Sequence, residues 1–109
     1  MRIYLSGKIT GRDKEDYTMQ FARAESFYKT GGFDVVNPVK IGEAILKQNP
    51  NAKWEDFMKK DLEELRTCTH IALLEGWEQS KGSRAEKAEA EKLGIEIMYL
   101  KLFDNHKKH

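Results

Sequence analysis

The sequence predicts an α/β protein built on a parallel sheet. Three observations carry this reading: short β-rich apolar runs alternate with longer amphipathic segments, turn residues close most of the runs, and 109 residues leave room for one domain. Residues 2–6 form the first run, ended by Gly7. Residues 13–30 carry Tyr17, Phe21, Ala24 and Tyr28 at helical spacing and stop at Gly31-Gly32. Residues 33–36 read as the second strand, closed by Asn37-Pro38. A short helix over 41–47 ends near Asn49-Pro50-Asn51, and a stronger helix covers 53–67. A third strand (69–74), a helix stopped by Gly94 (83–93) and a fourth strand (95–100) complete the series. Residues 1–103 are thus one domain, and 104–109 a polar tail.

Strand–helix–strand units with right-handed crossovers make a flavodoxin-like, doubly wound sheet the simplest arrangement, with strand order 2-1-3-4 and three layers, α/β/α. That order sets the first and third strands side by side, and ligands of such sheets bind beyond the carboxyl ends of these strands. The loops 7–12 and 76–83 meet there.

Composition narrows the function classes. Lys+Arg at 19 nearly balances Asp+Glu at 18, with no segregation of sign along the chain, so no footprint for a nucleic-acid polymer is expected. One cysteine, Cys68, excludes an internal disulfide and suggests no thiolate zinc site. The histidines of the tail, His106 and His109, are not read as metal ligands, and no cofactor is expected. No apolar run approaches a membrane span and no signal peptide opens the chain, so the expectation is a soluble cytoplasmic protein. A core this small would gain from homo-oligomerisation.

Two loops and two carboxylates concentrate the chemistry. After Ser6, the segment Gly7-Lys8-Ile9-Thr10-Gly11-Arg12 has the glycines, cations and hydroxyl to cradle a phosphate; the alternative is a plain surface turn. It lacks the leading glycine of a nucleoside-triphosphate loop, and Ile9 stands where Ser or Thr belongs, so triphosphatase chemistry is not expected. The second loop, through Trp77, Ser80, Gly82 and Ser83, leads into a helix that carries Glu86. Helix N-termini hold anions, but Ser83-Arg84-Ala85-Glu86 is equally a capping box that needs no ligand. Near a helix N-terminus Glu86 is expected to stay ionised, as a nucleophile must. Asp61 falls inside the apolar face formed by Trp54, Phe57, Met58, Leu62 and Leu65. There it either pairs with a lysine such as Lys8 or Lys60, or carries the raised pKa of a general acid. Tyr4, Trp54 and Trp77 are candidates for stacking on a base, with core packing the stronger reading for Trp54 and Trp77 placed in the loop. Ser80 either binds an anion or caps a turn.

The segments Ile3-Tyr4-Leu5-Ser6-Gly7, Asp61-Leu62 and Ser80-Lys81-Gly82-Ser83-Arg84-Ala85-Glu86 together resemble the nucleoside 2-deoxyribosyltransferase superfamily, most closely its small bacterial and phage DUF4406-type members. The resemblance implies Glu86 as the nucleophile at C1′ of a 2-deoxyribose. It makes Asp61 the group that protonates the departing base or positions the sugar, with Tyr4 beside them in the catalytic set. It implies that Gly82 lets the backbone approach the ligand. Ser80, where nucleoside-specific members carry an acid, is similar to the phosphate-contacting serine of the deoxynucleoside 5′-monophosphate N-glycosidases. The ligand implied is therefore a nucleoside or, better, a nucleotide. Thr69 stands where the family usually has aspartate, and members of the family complete their sites from a neighbouring subunit. Three readings remain open: an N-glycosidase or transferase, a nucleotide-sensing module with the same pocket, and a structural protein in which Glu86 only caps its helix.

Overall fold

The computed structural model describes residues 1–102; the expected tail at 104–109, with His106 and His109, lies outside them. Four parallel strands run in the order β2-β1-β3-β4, the predicted doubly wound arrangement. They are β1 (Arg2–Ser6), β2 (Asp34–Val36), β3 (His70–Leu74) and β4 (Glu96–Leu100), connected through α1 (Lys14–Thr30), α2 (Pro38–Gln48), α3 (Trp54–Leu65) and α4 (Lys81–Leu93). In β1, alternate side chains feed opposite layers, as the period of a strand requires. Ile3 and Leu5 pack with Phe21, Ala24 and Tyr28 of α1. Tyr4 packs with Leu65 and Ala90 of α3 and α4. The register Leu5↔Ala72 and Ser6↔Leu73 brings the carboxyl ends of β1 and β3 level.

Element boundaries shift where capping was misread. Asn37-Pro38 does not merely close β2; Asn37 accepts the Val39 N–H at 3.0 Å and Pro38 takes the first helical position, so α2 starts three residues earlier than predicted. The last helix begins at Lys81 because Ser80, not Ser83, is its cap. Gly7 is tightly placed: a Cβ there would lie 3.1 Å from Phe21 Cζ and 3.2 Å from Leu74 Cβ, so these side chains would have to give way by a few tenths of an ångström. The loop after β1 therefore passes close over the core.

One buried carboxylate joins α1 to α2. Glu25, 7% exposed, accepts from Asn37 Nδ2 at 2.9 Å, while Lys29 Nζ lies at 2.6 Å and Lys40 Nζ at 3.0 Å from its other oxygen. Burial works to raise its pKa, but the hydrogen bonds from Lys29, Asn37 and Lys40 prevail and hold it at about 2. A depressed carboxylate contributes stability that is present above its ordinary pKa and lost as pH falls through the folded value. Glu25→Ala, which leaves the Asn37 amide buried without its acceptor, is expected to cost about 1–3 kcal/mol at neutral pH. Chemical denaturation checks the loss, which should shrink as the pH is taken down toward about 2.

Candidate functional site

Beside the carboxyl end of β1 lies a cavity of about 730 Å³. Residues Gly7, Lys8, Ile9 and Thr10 form one side, with Lys14 and Tyr17 of α1. Val39, Gly42, Glu43 and Leu46 reach it from α2, and Trp54, Phe57, Met58 and Asp61 from α3. Both sets are spaced three and four residues apart, so each is a single helical face. The start of α4 closes the last side with Ser80, Lys81, Gly82, Ser83 and, one turn deeper, Glu86.

Glu86 is the anchor of the site. It is 5% exposed, and each of its oxygens accepts a hydrogen bond: Oε2 from the Tyr4 hydroxyl at 2.6 Å, Oε1 from the Ser6 hydroxyl at 2.6 Å. Tyr4 and Ser6 are two apart on β1 and share one face, so a strand supplies a matched pair of donors to a helix. The capping box expected of Ser83 and Glu86 is absent, and so is the helix-dipole argument for an ionised Glu86. The helix starts earlier, its first turn contains no acid, and burial raises the Glu86 pKa to about 7 against the lowering effect of the Ser6 and Tyr4 hydrogen bonds. Asp61, half-buried, is raised to about 8, first by burial and then by the charge of Glu86, with Tyr4 opposing. Among the described residues no lysine or arginine pairs with it; Lys60 lies instead near Glu63 and Glu64. Tyr4 is fully buried, so it orients Glu86 and does not stack on a base, and its own pKa is pushed well up by burial and the neighbouring carboxylates.

At the mouth of the cavity, Ser80 Oγ accepts the Ser83 N–H at 3.1 Å, which leaves the hydroxyl proton for a further acceptor. Lys81 and Gly82 follow it; their N–H groups have no intrahelical acceptor by position, and both residues line the cavity. Lys81 Nζ sits 4.3 Å from the centre of the Trp54 ring. Trp54, read from the sequence as core, is 36% exposed and lines the cavity. Trp77, expected in the site, is not among its lining residues: it lies on a 3₁₀ turn, its ring 6.0 Å from that of Tyr99. The spacing Trp54–Phe57–Asp61 held the signal for Trp54, because a face that carries a carboxylate is not a closed core.

Gly11 and Arg12 also stand outside the cavity. Gly11 makes the turn at φ 81°, and Arg12 bonds the back of its own loop, donating to the Lys8 carbonyl at 3.0 Å and to Gln20 Oε1. Gln20 in turn donates to the Glu75 carbonyl at 3.0 Å. The two loops that meet at the sheet's switch point are thereby tied together. Thr69 is exposed at the start of β3, at the end of the sheet away from the cavity, where its Oγ1 accepts the Arg2 N–H at 3.1 Å. The acids that line the cavity, Asp61 and Glu86 among them, are not among its hydrogen-bond partners.

Both cavity carboxylates bind protons more tightly in the folded chain than unfolded, which favours folding at low pH and is lost as pH rises through about 7 to 8. Glu86→Gln and Asp61→Asn are therefore expected to raise the midpoint of thermal unfolding at about pH 8.5 and to leave it near the parent value at about pH 4. Paired melting curves at the two pH values check this.

Among the described residues no helix is long and apolar enough to cross a membrane, and no cluster of three His, Cys, Asp or Glu suits a metal ion. A comparison with the curated proteins gives no match. Among solved structures, the chain is similar to a 2-deoxyribosyltransferase from Bacillus psychrosaccharolyticus, at 17% identity over 97% of this chain and 78% of that one, with a TM-score of 0.67. It is also similar to the CMP N-glycosidase of Clostridium botulinum, at 17% identity over 100% of this chain and 75% of that one, with a TM-score of 0.61. At such identity the likeness is one of fold. The family model described as a domain of unknown function, DUF4406, matches residues 1–99, and the chain belongs to that family.

Proposed function

We propose that this protein is an enzyme that cleaves or transfers the N-glycosidic bond of a 2′-deoxyribonucleoside or its 5′-monophosphate. The observation that carries the reading is Glu86, buried at the cavity with both oxygens oriented by Tyr4 and Ser6 and with Asp61 close enough to feel its charge. Two carboxyl groups of this kind can hold one proton between them, the arrangement used by retaining glycosidases. Glu86 attacks the anomeric carbon as a carboxylate. The bond from that carbon to the base nitrogen breaks, its electrons leave with the base, and the Asp61 carboxyl supplies the proton. The resulting glycosyl ester is then opened by water, giving hydrolysis, or by a second base, giving transfer. The fold shared with an N-glycosidase and a deoxyribosyltransferase supports this class of reaction.

Phosphate recognition is assigned to the mouth: Ser80, the backbone of Lys81 and Gly82, Lys8 and Thr10 converge there. Gly7 and Ile9 shape the wall behind them, Ser6 holds Glu86 from beneath, and Gly11 and Arg12 support the loop. The apolar face of Val39, Phe57 and Trp54 is assigned to the base. A homo-oligomer belongs to the same reading, because Leu46 and Trp54 expose apolar surface at the rim, 46% and 36% respectively.

A nucleotide-binding module without catalysis is the alternative. The double hydrogen bond to Glu86 would serve it equally, since the same contacts tie α4 to β1 whether or not the carboxylate reacts.

Incubation with the deoxynucleoside 5′-monophosphates, followed by chromatography, should release free base, and Glu86→Ala should abolish the release. Binding by calorimetry without any release supports the module. The rate should follow a bell with limbs set by the coupled pair near pH 7 and 8, Glu86 needing to be ionised and Asp61 protonated. Asp61→Asn should remove the alkaline limb and lower the rate by about 10²–10⁴-fold. Nucleotide should quench the fluorescence of Trp77→Phe, which retains Trp54, and leave Trp54→Phe nearly unchanged.

A further inference from the structure

Ser83 is the third residue of α4 and 1% exposed, and it lines the cavity. Its N–H is taken by Ser80, but its Oγ has no hydrogen-bond partner among the described residues. Four residues back stands Gln79, which precedes the helix, so α4 itself offers this hydroxyl no carbonyl in the usual place. Leaving a hydroxyl buried and unpaired is destabilising, and alanine at the same place has better helix propensity. A hydroxyl kept in that condition at a cavity wall calls for a partner from the cavity.

Its place on the helix defines the partner. Ser80, Ser83 and Glu86 all line the cavity in this order from its mouth inward, a ladder in which Ser83 and Glu86 are helical neighbours about 4.5 Å of rise apart. On the reading above, the ladder carries phosphate at Ser80 and the anomeric carbon at Glu86. Between these two points a nucleotide has its furanose ring. We infer that Ser83 is a substrate-binding residue whose hydroxyl hydrogen-bonds a hydroxyl group of the pentose, and so sets which sugars the site accepts. This assignment rests on the proposed N-glycosidic chemistry. It makes Ser83 a selector of the sugar, distinct from the groups that hold phosphate or carry the reaction.

The test compares the parent chain, Ser83→Ala and Ser83→Thr with three sets of 5′-monophosphates: ribo, 2′-deoxyribo and 2′,3′-dideoxyribo. Turnover and calorimetric affinity are read for each. For sugars bearing the contacted hydroxyl, Ser83→Ala should lower kcat/KM about tenfold, Ser83→Thr should retain part of it, and the analogue without that hydroxyl should show no difference between parent and variant. Loss on ribo alone identifies the 2′-hydroxyl; loss on ribo and 2′-deoxyribo identifies the 3′-hydroxyl. The thermal midpoint of Ser83→Ala should equal or exceed that of the parent, since the hydroxyl makes no bond within the fold. The inference is overturned if Ser83→Ala is indistinguishable from the parent on all three sets. It is also overturned if the variant loses equally on all three, as a phosphate contact would, or if it loses activity only in step with a lowered thermal midpoint. If Glu86→Ala abolishes turnover while Ser83→Ala changes nothing, this inference fails and the enzyme reading stands. If the parent neither binds nor turns over any of the three, both fall.

Discussion

The pair of short hydrogen bonds from β1 to Glu86 is the constraint around which the molecule is arranged. A carboxylate in the second turn of a surface helix would ordinarily face water. Here it points into the sheet, where Tyr4 and Ser6 receive it, and the price is a carboxyl group that prefers to hold its proton near neutral pH. The core around it has to be organised for this. Tyr4 reaches Glu86 because it stands on the α4 side of β1 between Ile3 and Leu5, which fill the other layer. Ala90, one turn after Glu86 and fully buried, lets α4 lie close to the sheet.

The cavity is also defined by what surrounds these acids. Glu43, Glu55, Asp61 and Glu86 line it together with Lys8, Lys14 and Lys81, and the rest of the wall is largely apolar. The cations lie on the loop and helix starts, the two raised carboxylates lie deeper, and the apolar face of α2 and α3 stands opposite. A molecule with an anionic end, a polar middle and an apolar end fits that gradient. Low-dielectric walls strengthen each polar contact within it.

Most of the fold was legible in the chain because it rests on local signals: short apolar runs, helical spacing, and glycines at the stops. Strand order followed from connection rules. The errors at α2 and α4 came from side chains with two local uses, since Asn37-Pro38 reads as a strand end or a helix start, and Ser80 and Ser83 compete for one cap. Asp61 drew notice because it interrupts an apolar face, and Glu86 because a Ser- and Gly-rich turn leads into its helix; both line the cavity. Their protonation was misjudged for Glu86, because burial is a property of the packed layers and not of its position along a helix. Trp54 and Trp77 exchanged their expected places for the same reason. Which of two amphipathic aromatics meets the core depends on neighbours far along the chain, Tyr99 for Trp77 and Lys81 for Trp54. Ser83 was in view as a residue of the binding loop, but that its hydroxyl lacks a partner had no sequence signal.

The tie from Arg12 through Gln20 to the Glu75 carbonyl spans two loops that many α/β proteins leave mobile. With both loops held to each other by side chains on α1, the walls they contribute take shape when the protein folds. A ligand entering there meets a surface that is already ordered, so its affinity measures contacts and desolvation, with little subtracted for freezing the chain. Selectivity at such a mouth resides in shape fixed beforehand.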